Sequence, residues 1–380
     1  MPTMRDPVVV GAGPAGLAVA SALARRGVHS LVIERGTHVG TNWRARYDRL
    51  RLHTIRSLSS LPGLPLPPRY GRWVARDDFV AYLEDYARRH AIDIRFGATV
   101  QRIRREAEAW RVETSQGSLD APIVIVATGY SNDPLIPAWP GRSTFAGDFS
   151  HAAEYRNPAP YRERMVLVVG TGNSAAEIAV DLVDGDARHV WLSVRSAPQI
   201  VPRQVLGLPA QVVGILINET PARVGDALAA FVQGIFIGDL SPYGMPRPEL
   251  GLASQFRRDQ QVPIIDVGLV ALLKRRRLTI VPALERFDGD TVRMRGALTL
   301  RPDAVIAATG YRRGLESLIE HVGLLDRHGL PIARGDMTHP TAPGLYFIGF
   351  ENVLGGILRE IGFEAERIAR VVAALMHQSS

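Results

Sequence analysis

The chain has no cysteine among its 380 residues. A disulfide framework, a thiolate zinc site, a cysteine-ligated cluster and a redox-active dithiol are therefore excluded. Lysine is almost as scarce, since Lys274 is the one lysine among 45 basic residues. The arginines are scattered along the whole length, so the net charge of +7 and the pI of 10.0 gather into no stripe or tail suited to nucleic acid. The dense run at 274–277 reads as the solvated end of a helix. Excess positive charge also suits anionic cofactors. Long apolar runs are missing as well. The most apolar region, 205–240, is interrupted by Asn218, Glu219, Pro221, Arg223 and Asp226, which predicts no integral membrane segment and instead a helical hairpin packed as core. The opening "MPTMRDPVVVGAG" lacks the order of a signal peptide, so a cytoplasmic location is expected.

What is present fits a two-domain soluble enzyme, with 46% hydrophobic and 22% charged residues. "VVVGAGPAGLAVASALARRGVHSLVIERG" predicts a buried strand at 8–10, a turn through Gly11, Gly13, Pro14, Ala15 and Gly16, and a helix stopping near Gly27. The second strand then ends in Glu34 and Arg35. Glycines at those spacings permit a tight turn, close approach of backbone to a pyrophosphate, and close helix-to-strand packing. Glu34, 23 positions after Gly11, is placed to accept hydrogen bonds from a ribose.

The same device recurs. "MVLVVG" leads through Gly170, Gly172, Asn173, Ser174 and Ala175 into the helix "AAEIAVDLV" and the strand "HVWLSV". This second strand ends at Arg195 and Ser196 instead of an acid, which favours a 2′-phosphate and hence NADPH over NADH. Two dinucleotide turns imply two dinucleotides with electrons passing between them. "VIVATGY", with Thr128 and Gly129, and "VIAATGY", with Thr309 and Gly310, close the two halves in nearly the same words. The reading is an α/β chain of two Rossmann-like dinucleotide-binding domains. The first, a discontinuous dinucleotide domain, covers 1–160 and 300–380. The NADPH domain, 161–299, is inserted in it and carries the hairpin at 205–240.

With these residues assembled, the chain resembles the flavin-containing monooxygenases of the YUCCA-like, N-hydroxylating type. "FAGDFSHAAEYR" fits the family pattern at Phe145, Gly147, His151, Tyr155 and Arg156. Baeyer–Villiger relatives prefer Trp where this chain has Tyr155. "NWRARYDRLRLHT", "LPGLPLPP", "IGDLSPYGMPRP", "VPIIDVG" and "GLYFIGF" are similar to family stretches in the same order. The resemblance implies FAD, NADPH and O2. NADPH reduces the flavin, oxygen adds at flavin C4a, and one oxygen atom reaches a small substrate while the other leaves as water.

It also implies residue roles. Gly11, Gly13 and Gly16 match the FAD pyrophosphate turn, Glu34 the ribose acid, Trp43 an aromatic beside the flavin, and Val100 the backbone that meets adenine. Thr128 and Gly129 match the turn beside FAD, and Gly349 and Phe350 the end of the last strand near the flavin. Phe350 stands where the wider superfamily has an acid. His53 falls where YUCCA-like members place a histidine over the flavin, and an imidazole there can exchange protons near neutrality. Gly170 to Ala175 match the NADPH turn, Arg195 the 2′-phosphate partner, and 145–156 a linker that positions NADP⁺ through geometry. Phe231, Phe236 and Tyr243 are candidates for an aromatic substrate wall. The substrate is expected to be an amine, a sulfide or an α-keto acid such as indole-3-pyruvate. The other readings are a Baeyer–Villiger-type ketone monooxygenase, an NADPH-dependent flavoprotein reductase serving a protein partner, and a non-catalytic cofactor-binding protein.

Overall fold

The computed structural model describes residues 6–319 and 322–378. Val8–Val10 is fully buried, as a short strand covered on both faces must be, and it forms the centre of a five-stranded parallel sheet. Across that sheet the order is Leu345–Phe347, Val124–Val126, Val8–Val10, Leu31–Ile33 and Asp93–Arg95. A second five-stranded parallel sheet surrounds Met165–Val169, in the order Thr279–Val281, His189–Ser193, Met165–Val169, Ala304–Ala307 and Asp148–His151. In each sheet the central strand passes through a glycine turn into a helix, Pro14–Ala24 in one and Asn173–Asp184 in the other.

The internal repeat extends further than the sequence words suggest. After the third strand of the first unit comes a three-stranded antiparallel sheet, Val100–Glu106, Ala109–Thr114 and Gly117–Ala121. After the third strand of the second comes its counterpart, Leu284–Asp288, Thr291–Met294 and Thr299–Leu300. Each leads to the strand that ends in the Ala-Thr-Gly turn. The architecture is therefore two Rossmann-like units, the second inserted in the first.

The boundaries differ from those at 160 and 300. Ala304–Ala307 pairs with Met165–Val169 on one side and with Asp148–His151 on the other, so these two strands, both outside 161–299, belong to the second sheet. The physical reason is the repeat: the fourth strand of each unit needs its own central strand as a partner. The chain crosses between units nearer to Asp133–Pro134 and Tyr311–Arg312, and these two short strands pair with each other antiparallel.

The glycine-turn helix Pro14–Ala24 is buried from Ala15 to Leu23 and packs against the C-terminal helix Ile357–Gln378. The hairpin is present as Ala210–Glu219 and Ala222–Phe236. The expectation that it packs as core holds for one face only. Ile217 and Ala229 are buried beside Leu252 and Ala253, whereas Leu216, Val224, Ile235 and Phe231 face solvent, Phe231 at 68% exposure. Residues 274–277 are exposed at the end of the short helix Leu269–Lys274, as read from the sequence. Among the described residues no helix is long and apolar enough to cross a membrane.

Candidate active site

The two glycine turns are built on one plan. Gly11 and Gly170 have φ of +107° and +153°, where a side chain is strained. A Cβ on Gly11 would lie 2.8 Å from the Ala127 carbonyl oxygen, and one on Gly170 would lie 2.2 Å from that of Ala308. Each first glycine thus rests on the alanine of the Ala-Thr-Gly turn, and the two repeated words of each half meet in space. Gly16 is tighter still, since its Cβ would stand 1.9 Å from the Gly11 carbonyl oxygen. Ala175, in the third small position of the second turn, is 1% exposed.

Gly13 and Gly172 are different. They are the N-caps of the two helices, neither helix has a side-chain cap, and a Cβ on either meets nothing within 4 Å. The first-turn N–H groups of both helices are thereby left for an anionic partner, and both turns open on free space. That is the fit a dinucleotide pyrophosphate requires.

One continuous cavity of about 880 Å³ joins the two turns. From the first unit it is lined by Gly11, Gly13, Pro14, Ala15, Glu34, Arg35, Trp43, His53, Val100, Thr128, Gly129 and Gly349. From the second come Gly172, Asn173, Ser174 and Gly310. Gly16, Gly170, Ala175 and Thr309 lie off this wall, and Thr309 donates its hydroxyl to the Leu135 carbonyl. Phe350 is 4% exposed, packs edge-on to Phe347 at 6.2 Å on the apolar face of the first sheet, and is not on the cavity wall, although the preceding Gly349 is. Arg195 and Ser196 stand exposed just past His189–Ser193, outside the cavity wall.

Several of these side chains first hold the site itself. Glu34 accepts from the Ala12 N–H and the Gly36 N–H, both at 2.8 Å, which fastens the first turn to the second strand. Each carboxylate oxygen retains a second lone pair for a ribose hydroxyl. Asn173 accepts from the Ile265 N–H at 2.7 Å and donates to the Pro263 carbonyl at 3.1 Å, pinning the second turn. Arg35 donates to Asn42, and Trp43 meets Phe79 edge-on at 4.6 Å.

The 145–156 segment contributes little side-chain surface to the cavity. Phe145 packs on Phe287 at 5.1 Å, and Gly147 is pressed against Phe145 and the Asp303 carbonyl. His151, 1% exposed, lies 3.0 Å from the Gly310 carbonyl through Nε2, and its Nδ1 accepts from the Ala153 N–H. Burial lowers the His151 pKa, which favours the neutral ring this pattern needs. Tyr155 donates to Asp181 at 2.8 Å, and Arg156 donates to the carbonyls of Ala153 and Tyr155. Of this stretch, Ala152 lines the cavity.

The structure adds residues that sequence reasoning missed. Tyr47, 3% exposed, lines the cavity, and its hydroxyl meets the side chains of Ser174 and Glu177. Burial, then the Glu177 charge, pushes its pKa well up, so it stays a neutral hydroxyl. His53 Nε2 lies 2.7 Å from Oε1 of the buried Glu177. Gln211 of the hairpin accepts from the Ile55 N–H and donates to the Gly355 carbonyl. The side chain of Asn132 donates to the carbonyls of Thr128, Gly129 and Arg313. The wall given by the hairpin is aliphatic, from Val205, Val213, Ile217 and Val232; Phe231, Phe236 and Tyr243 are not part of it.

Known proteins agree with this geometry. The profile of a family described as pyridine nucleotide-disulphide oxidoreductase matches residues 8–203. Indole-3-pyruvate monooxygenase YUCCA8 of Oryza sativa subsp. japonica is 36% identical over 386 residues, covering 97% of this chain and 90% of its own. The YUCCA1 enzyme of the same subspecies is 35% identical over 349 residues, covering 90% and 86%. A solved flavin monooxygenase mutant from Stenotrophomonas maltophilia is 25% identical, with a TM-score of 0.76 and coverage of 97% of this chain and 98% of its own. The chain thus belongs to the pyridine nucleotide-disulphide oxidoreductase family and, within it, to the YUCCA-like flavin monooxygenases, oxidoreductases that work with FAD and NADPH.

Proposed function

We propose that the chain oxygenates a small α-keto acid of the indole-3-pyruvate type, with oxidative loss of its carboxyl group as CO2. The observation that carries this reading is the single cavity that joins both dinucleotide turns and ends on the aliphatic hairpin wall. Relatives named indole-3-pyruvate monooxygenases supply the substrate class. Bound FAD, reduced by NADPH, supplies the oxygen-activating chemistry.

The chain's own residues divide the remaining work. The turns at Gly11–Gly13–Gly16 and Gly170–Gly172–Ser174 receive the two pyrophosphates, with Glu34 on a ribose and Arg195 on the 2′-phosphate. Val205, Val213, Ile217 and Val232 keep water from the reacting end and present an apolar surface to a flat ring. Arg51, which lines the cavity two residues before His53, is the cation offered to a substrate carboxylate. His53 holds or moves a proton where the substrate reacts.

Rapid mixing tests the reading. After anaerobic reduction by one equivalent of NADPH, exposure to ¹⁸O2 is expected to give a transient flavin absorbance unlike the oxidised or reduced form and lasting seconds. Added indole-3-pyruvate should then yield CO2 and the shortened acid carrying one labelled atom. Direct return to oxidised flavin with release of hydrogen peroxide, with every keto acid, amine and sulfide, would refute oxygenation and bring forward the reductase reading.

The cofactor assignment yields a separate prediction. Arg195 is exposed, so Arg195→Ala leaves the fold intact. It should raise the KM for NADPH by roughly 10- to 100-fold through loss of a charge-assisted contact, with NADH hardly affected. Equal losses for both, in steady-state titrations, would remove Arg195 from the 2′-phosphate site.

A further inference from the structure

Glu177 has the chemistry of a working carboxylate in a place where stability gives it little reason to be. It lies on the helix Asn173–Asp184, which follows the second glycine turn, and it is 4% exposed. Its Oε1 is 2.7 Å from His53 Nε2 yet has no aligned hydrogen-bond partner among the described residues. His53 Nδ1 is likewise buried and unpartnered. A buried carboxylate kept beside an imidazole must be stabilised by what surrounds it.

Those surroundings are specific. The Tyr47 hydroxyl meets both Glu177 and Ser174, so a neutral phenol connects the carboxylate to the second glycine turn. Arg203 adds positive potential: its guanidinium lies over Trp73 at 4.2 Å, donates to the Leu52 carbonyl at 2.9 Å, and has its pKa lowered by burial to about 10. Beyond His53 lies a second cavity of about 340 Å³, walled in part by His53, Glu177 and Arg203 and rimmed by the exposed Asp48 and Arg51. His53 lines both cavities, the large one of the cofactors and this small polar one.

We infer that Glu177 is the positioning residue for His53. It holds the proton of the imidazole on Nε2, leaves the unpartnered Nδ1 as the nitrogen free to take up a proton, and balances the charge when Nδ1 does so. That proton is returned from Nδ1, so His53 ends each turnover as it began, and the Nε2 proton never leaves the pair. The arrangement follows general acid–base logic, in which the base is oriented by a third group. The groups facing the pair are Tyr47 before it in the chain, Arg203 near the hairpin, and Asp48 and Arg51 at the rim of the small cavity. The inference rests on the oxygenase reading only for what the proton is used for.

The test is Glu177→Gln in the FAD-loaded enzyme with ¹⁵N-labelled histidine, the His53 signals being assigned by difference from His53→Gln. In the unsubstituted enzyme the ring should be a single Nε2–H tautomer while neutral, and in Glu177→Gln a mixture. Product per NADPH should fall about tenfold, with hydrogen peroxide taking its place and the pH profile of coupling changed in shape. Glu177→Asp, which keeps the charge one methylene further back, should recover part of both effects, and it serves as the test if Glu177→Gln does not fold. An unchanged His53 tautomer in either variant overturns the inference. If the enzyme oxygenates no substrate at all, the oxygenase reading fails while the tautomer measurement still decides the role of Glu177.

Discussion

Gly13→Val should fold but emerge colourless, whereas Gly172→Val should emerge yellow and refuse NADPH. In both, the added side chain meets no protein atom within 4 Å of its Cβ, and the backbone lies at negative φ, −84° and −108°, so nothing in the fold opposes it. What it fills is the open space in front of an uncapped helix N-terminus, where each pyrophosphate belongs. Flavin absorbance after purification reads the first variant. Dithionite reduction without NADPH reduction reads the second. Loss of NADPH response beyond about 1000-fold is expected, because branched carbon replaces the approach of phosphate to backbone. Gly16→Val is the contrasting control. Its Cβ would stand 1.9 Å from the Gly11 carbonyl oxygen, so the helix cannot seat on its strand and soluble protein should be lost. A yellow Gly13→Val protein with normal affinity for FAD would disprove the placement of the first pyrophosphate.

The second large effect concerns stability. Glu364, on the C-terminal helix, is 2% exposed and accepts from the Gly349 N–H at 2.8 Å. Burial raises its pKa from 4.5 to about 7, the neighbouring charges of Glu351 and Glu360 adding to the effect. A carboxyl with a raised pKa binds its proton more tightly in the folded chain than in the unfolded one. Its stabilisation is therefore complete below about pH 4.5 and is lost as pH rises through about 7. The swing is on the order of 3 kcal/mol at most. Glu364→Gln keeps an acceptor for the Gly349 N–H and removes the titration. Denaturant midpoints measured from pH 5 to pH 8 should fall for the parent chain and stay nearly level for the variant, which becomes the more stable of the two at pH 8. Parallel curves would show that Glu364 is not the group responsible.

What the sequence shows most clearly is what the backbone demands locally. The positive φ of Gly11 and Gly170 and the crowding at Gly16 leave few alternatives to glycine, so both turns stand out as written words. The Ala-Thr-Gly turns are legible for the same reason, being the surfaces those glycines rest on. Strand ownership is a long-range matter. Nothing in "AVIA" says that Ala304–Ala307 pairs with Met165–Val169 rather than rejoining the first sheet. The hairpin shows the same limit, because apolar residues surround its helices and sequence alone does not tell the inner face from the outer. Glu177 and Asp181 are the instructive miss. Four residues apart on one helix, they carry no signal in the sequence that sets them apart, yet both are buried against Tyr47, His53 and Tyr155 of the other elements. Polar residues at an interface between units are indistinguishable in sequence from polar residues in water.

The antiparallel pairing of Asp133–Pro134 with Tyr311–Arg312 gives the molecule a particular kind of joint. The outgoing and returning crossings are bonded to each other, so they act as one ribbon and not as two independent strings. Arg46 stacks on Tyr311 at 4.7 Å, and the side chain of Asn132 ties the Thr128 and Gly129 carbonyls to Arg313, which stiffens that ribbon at its root. A ribbon of two hydrogen-bonded strands bends across its flat face far more readily than it shears along its length. The two units are thereby tied through one paired crossing, in which the outgoing and returning segments cannot move independently of each other.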